Sequence, residues 1–119
     1  MNEYSTIEVA EACGATLRML QNWNERGAVR PKYIGHRRCW SANDRREACI
    51  VAALRSKGIT LPQIKKIMAR VRTGVASRGL LLTDGKTTHI EYNDSVAIGI
   101  LARHRGAMAL VVIPALEQD

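Results

Sequence analysis

Ile7, Val9, Ala10 and Ala12 crowd the stretch after Ser5-Thr6 and before Cys13-Gly14. That spacing predicts a short helix, capped by Ser5 or Thr6 and ended at Gly14. Thr16 then stands where an N-cap belongs, and Leu17, Leu20 and Trp23 recur three apart. They give a second helix, LRMLQNWNER, one apolar face, and leave Arg18, Gln21, Asn22 and Arg26 largely off it. Gly27 stops this helix and Pro31 follows. Two short helices joined by a Gly-containing turn make a helix-turn-helix.

Beyond Pro31, Tyr33-Ile34 and Cys39-Trp40 predict two short strands around a tip at Gly35-His36-Arg37, a hairpin carrying the adjacent Arg37 and Arg38. Ser41 caps a third helix with Ala48, Ile50, Val51, Ala53 and Leu54 inside, and Gly58 ends it. Thr60 caps a fourth, holding Leu61, Ile64, Ile67, Met68 and Val71, with Pro62 harmless in its first turn. RTGVASRG then reads as a linker. LLLTDGKTTHIEY predicts a hairpin turning at Asp84-Gly85. Asn93 or Asp94 caps a short helix through Ile100, Leu101 and Ala102, and ALVVIPAL ends the chain as a buried-type strand closed by Pro114. The expected fold is mainly α with small β (α+β). It has a winged helix-turn-helix at 1–75 and a small β-β-α-β module at 76–119.

Charge sharpens this picture. The 119-residue chain has a formal net charge of +7. Residues 1–78 carry 15 Lys/Arg against 6 Asp/Glu, while residues 79–119 carry 3 against 5. The basic surplus belongs to the helix-turn-helix part, which is where a polyanion would bind. Hydrophobic residues make up 46% of the chain with no Phe, so the core is aliphatic. No apolar stretch is long enough to span a membrane. MNEYSTIEVAEA has acids where a secretory leader needs bases. Cys13, Cys39 and Cys49 are an odd number without a pairing pattern, which suits a reducing compartment. A cytoplasmic, nucleoid-associated protein is expected.

Residues 4–71 resemble the DNA-binding domain of the MerR family. The resemblance rests on YSTIEVAEACGATLRMLQNWNERGAVRP followed by GHRRCWSANDRREACIVAALRSKGITLPQIKKIM. The landmarks fall in the family's order. Thr16-Leu17-Arg18 opens the recognition helix, and Trp23 takes one of two aromatic positions. Gly27, Pro31, the Arg38-Cys39-Trp40-Ser41 step and Gly58 follow, ahead of the last helix. Asn22 replaces the other aromatic, Gln21 stands where Arg is common, and a β-rich tail replaces the long dimerising helix. The resemblance implies that the second helix enters the major groove of double-stranded DNA. The wing would lie along the phosphates, with Arg18 and Arg38 on the family's DNA-contacting positions. It also implies a transcription regulator with an RNA polymerase contact.

The candidate DNA-binding residues are Thr16, Arg18, Met19, Gln21, Asn22, Lys32, Tyr33, Arg37 and Arg38. Arg reads guanine, and Asn or Gln reads adenine, through paired hydrogen bonds. Alone, the same helix residues would also suit a solvated face, and Arg37-Arg38 would suit edge protection. Trp23 and Trp40 are read as packing residues, and Cys13 and Cys49 as small core residues. His36 and Cys39 have a His-x-x-Cys spacing, but nothing completes a zinc set, so no metal is expected. Gly85-Lys86-Thr87 lacks the first Gly of a phosphate loop at the right spacing. His89 and His104 are isolated, so neither catalysis nor a cofactor is expected. The apolar run Val111-Val112-Ile113 in a thin sheet with open edges suggests a homodimer through the C-terminal module. Two rival readings remain. One is an architectural binder of the excisionase or plasmid-partition kind. The other is an antitoxin or adaptor whose tail holds a protein.

Overall fold

The computed structural model describes residues 3–74 and 78–116. Strand β1 (Glu3–Tyr4) leads into helices α1 (Thr6–Cys13) and α2 (Leu17–Glu25). The hairpin β2 (Lys32–Ile34) and β3 (Arg37–Ser41) follows, then α3 (Ala42–Ser56) and α4 (Leu61–Arg72). The tail runs β4 (Gly79–Thr83), β5 (Thr88–Glu91), α5 (Asp94–Arg103) and β6 (Ala109–Ile113). Helices and short sheets thus form the expected α+β fold.

Local chemistry starts and stops the helices. Ser5 and Glu8 close a capping box on α1, Ser41 and Asp44 on α3, and Thr60 and Gln63 on α4. The backbone N–H of Ser5 holds the Glu8 carboxyl below its ordinary pKa. Gly14 ends α1 at φ 67°, a left-handed geometry that favours glycine, and this turn launches α2.

Two three-stranded antiparallel sheets result, ordered β1-β3-β2 and β5-β4-β6. In the first, Tyr4 lies opposite Trp40 and Tyr33 opposite Arg38. In the second, Leu81 lies opposite both Ile90 and Val111. Helix α3 is the hub, packed against α1, α4, β3 and β6. Trp40, Leu20, Val9, Ile50, Leu54, Ile64 and Met68 are fully buried around it. Trp40 Nε1 donates to Thr6 Oγ1 at 3.0 Å, so the indole is buried with its polar atom satisfied.

The hydrophobic cluster continues into the tail through Leu81, Val111 and Ile113. Arg46 Nε donates to Pro114 O at 2.8 Å, and Arg70 donates to Thr88 O. Across the sheet, Leu82 and Ala97 are buried outside that cluster, where α5 covers β4 and β5.

Several expectations are corrected. Strand β6 is buried on one face only: Val111 and Ile113 point into the core, whereas Leu110 and Val112 are 45% and 49% exposed. Alternation of side chains across a strand produces this. Leu17 is 50% exposed and does not join the apolar face of α2. Arg37 and Arg38 lie within β3, not at the tip, because Arg37 pairs with Ile34 and leaves Gly35-His36 as the turn. The β4–β5 connection is residues 84–87, longer than a two-residue turn. Asp84 Oδ1 accepts from the N–H groups of Lys86 and Thr87 there, which lowers its pKa. Arg72 belongs to α4 and Gly79 to β4. Thr73, Gly74 and Arg78 lie outside helix and strand as expected, and residues 75–77 of the expected linker lie outside the described residues.

Candidate nucleic-acid interface

Burial of Leu20 and Trp23 fixes the rotation of α2 and turns Arg18, Met19, Gln21 and Asn22 outward. With Thr16 and Glu25 they line a shallow depression along the exposed side of the helix. Thr16 is the N-cap, its Oγ1 accepting from Met19 N at 3.1 Å. Gln21 Nε2 donates to Glu25 Oε1 at 3.1 Å, and Arg26 Nε donates to Asn22 Oδ1 at 3.2 Å. Exposed i, i+4 pairs of this kind contribute only about 0.2–0.5 kcal/mol each. Both amides can therefore exchange these partners for base edges at little cost.

Asn24 ties the hairpin to this helix. Asn24 Oδ1 accepts from Tyr33 Oη at 3.0 Å and from Arg38 Nε at 2.6 Å, while its Nδ2 donates to Val29 O at 3.3 Å. The Arg38 guanidinium also lies 5.4 Å from the centroid of the Tyr33 ring. Tyr33 and Arg38, opposite each other in the register, thus act as one unit that anchors the hairpin to the end of α2.

A cleft of about 390 Å³ opens between α1, α2 and the hairpin. Leu17 and Gln21 line it from α2, Arg37 and Arg38 from β3, and Ser5 to Ile7 from the start of α1. The described residues lining it carry no carboxylate. The structure therefore brings Gln21, Arg37 and Arg38 to one place, beside the outward row of Arg18, Met19 and Asn22. Lys32 does not join them. It lines a separate cleft with Arg30, Glu3 and Asp44, where carboxylates accompany the bases.

Guanidinium groups and backbone N–H groups at a helix start are suited to phosphate oxygens. Exposed amides and Arg18 on the neighbouring helix are suited to base edges. Sequence reasoning missed Asn24 and the α1 N-terminus. Asn24 meets partners 9 and 14 residues away, a relation that no local pattern encodes. The α1 N-terminus reaches the cleft through the packing of α1 on α3, α2 and β3.

Among the described residues no helix is long and apolar enough to cross a membrane. Comparison with curated protein sequences finds no match. Residues 4–71, more than half of the chain, match the family model described as MerR HTH family regulatory protein. Members of that family are regulators that act by binding DNA, not enzymes. The outward face of α2 and the basic cleft beside it lie within the matched residues, and the chain belongs to the MerR helix-turn-helix family of DNA-binding transcription regulators.

Proposed function

We propose that this protein reads a specific duplex DNA sequence by inserting α2 into the major groove, with the β2–β3 hairpin as a wing on the flanking backbone. The observation that carries this reading is the shared cleft of Gln21, Arg37 and Arg38 beside the exposed row Arg18, Met19 and Asn22. Arg18, Gln21 and Asn22 supply base choice. Arg37, Arg38 and Tyr33 position the protein on phosphates, and Thr16 and Met19 border the contact at the helix start. Lys32, on the other cleft, adds only general electrostatic attraction.

The reading extends to assembly. Residues 1–75 act as the DNA-binding unit and 76–119 as the dimerising unit, although the two share one core. Strand β6 is a sheet edge, and Leu110 and Val112 are exposed on it. A second copy pairing at that edge would set two recognition helices on paired half-sites. Regulation of transcription implies RNA polymerase as a further partner and the nucleoid as the place of action.

Selection from random-sequence duplex DNA tests this, with the wild-type protein and Arg18→Ala in parallel. The expected result is an enriched inverted repeat that Arg18→Ala loses. Salt-sensitive binding without any enriched motif would overturn sequence reading and leave an architectural binder.

A further inference from the structure

Two thiols that the DNA reading does not use lie together at the junction of α1 and α3. Cys13 is the last residue of α1, and its Sγ donates to Val9 O at 2.9 Å. Cys49 lies on α3, which packs directly against α1. Both are half-buried, and the Cys13 thiol is within hydrogen-bonding reach of Cys49. They line one open cleft of about 500 Å³, which Gly14 and Met19 also border. The two thiols therefore share one cleft that is open to solvent. Cys13 directly precedes the Gly14–Thr16 turn that starts the recognition helix.

We propose that Cys13 and Cys49 form a thiol–disulfide site that reacts with low-molecular-weight disulfides and, once crosslinked, clamps the turn into α2. Cys49 is the attacking sulfur. When Cys49 is a thiolate, the Cys13 S–H turns from Val9 O to the Cys49 sulfur, and that bond brings the Cys49 pKa down to about 7 against the opposing effect of burial, with the Arg45 guanidinium assisting. Cys13 stays a thiol, its pKa raised by that same hydrogen bond and by burial.

The exchange balances in two steps. The Cys49 thiolate attacks one sulfur of the small disulfide. A mixed disulfide forms at Cys49, and one small thiolate leaves and takes up a proton. Cys13 then gives up its proton and attacks the Cys49 sulfur. The Cys13–Cys49 bond forms and the second small thiol departs. The two protein thiols are oxidised by two electrons, and the small disulfide is reduced to two thiols.

The test uses the full chain and oxidised glutathione, followed by intact mass, peptide mapping and amide hydrogen exchange. The expected product has lost two hydrogens, links the Cys13 and Cys49 peptides, and retains Cys39 as a thiol. Exchange over Gly14–Met19 slows in that product and recovers on reduction. Cys13→Ser should stop at a stable glutathione adduct on Cys49, and Cys49→Ser should leave Cys13 unmodified. Modification confined to Cys39, or only an intermolecular Cys39 bridge, would overturn the site. A Cys13–Cys49 link without slower exchange over Gly14–Met19 would overturn the clamp. Every readout is independent of DNA, so failure here is distinct from failure of the DNA reading.

Discussion

Asn24 Oδ1, in the last turn of α2, accepts from Arg38 Nε on β3 at 2.6 Å. The contact joins the helix proposed to read base edges to the strand proposed to lie on phosphates. The same oxygen accepts from Tyr33, so both hairpin strands are referred to one atom of α2. The mutual orientation of helix and hairpin, which a DNA groove would read, therefore depends on a side chain that need not touch DNA.

Asn24→Ala should cost about 1.5–3 kcal/mol of stability, the range for losing a hydrogen bond to a charged group. It should also weaken DNA binding, because α2 and the hairpin no longer move as one body. Asn24→Asp keeps the acceptor and should retain most of the coupling. Denaturant unfolding alongside DNA titration decides the matter. Unchanged affinity in a folded Asn24→Ala protein would show that the hairpin orients itself without this link.

Arg37 is exposed on β3 and lines the basic cleft, without a hydrogen bond to α2 like that of Arg38. Arg37→Ala should leave stability within about 0.5 kcal/mol of wild type. It should weaken binding to all sequences alike. The slope of log K against log salt should become shallower by about one. A change confined to one base position, with the slope unaltered, would instead assign Arg37 to base reading.

Glu47 is buried at 7% exposure, and Arg72 Nε lies 2.7 Å from its Oε1. Arg72 also donates to Ala28 O at 2.9 Å, which ties α4 to the segment after α2. Arg72→Leu leaves the Glu47 carboxylate with Asn43 as its remaining partner and leaves Ala28 O without this donor. Stability should fall by roughly 3 kcal/mol, as for a buried pair that loses one member. Combining it with Glu47→Leu should recover part of the loss, because no unpaired charge stays buried. Urea midpoints for the two single variants and the double variant would show the recovery or its absence.

These two contacts mark what the sequence left unread. Helix starts at Ser5, Thr16, Ser41 and Thr60 were legible because a cap and its partner lie three residues apart. The outward row of α2 was legible for the same local reason. The Glu47–Arg72 pair spans 25 residues, Trp40–Thr6 spans 34 and Arg72–Ala28 spans 44, so periodicity carries no trace of them. Pairing of β1 with β3 was missed because two residues, Glu3 and Tyr4, make too short a pattern. Strand β6 was legible as a strand. A continuous apolar run, however, does not reveal that only alternate residues find a core.

Alkylation kinetics should separate Cys49 from the other thiols. Its thiolate is favoured in the folded protein, with a pKa of about 7 against an ordinary 9.0. The rate at Cys49 should rise with pH through about 7 and level off, while Cys13 stays slow because its pKa is raised. The Cys13 hydrogen bond is the largest influence on Cys49, so Cys13→Ala should move the Cys49 midpoint upward. The sign for stability follows. A depressed folded pKa gives Cys49 a stabilising contribution that is present above about pH 9, the unfolded value, and lost as pH falls through about 7. The raised pKa of Cys13 opposes it on the alkaline side, so the alkylation profile, read residue by residue, is the cleaner measurement.

The exposed face of β6 makes the assembly testable. Leu82 lies opposite Leu110 and Leu80 opposite Val112, so the apolar floor beneath α5 continues to the sheet edge. At that edge Leu110 and Val112 are 45% and 49% exposed, and among the described residues no strand pairs with the outer backbone groups of β6. Pairing with a second β6 would satisfy those groups and cover both side chains. Val112→Lys places a charge on that edge while leaving Val111 and Ile113 in the core. The wild-type protein should sediment as a dimer at tens of micromolar, and Val112→Lys as a monomer with unchanged circular dichroism. The variant should also bind a single half-site about as well as wild type, yet lose the added affinity for an inverted repeat. A wild-type monomer at that concentration would remove the β6 edge as the dimer contact, and half-sites would then have to be paired on the DNA itself.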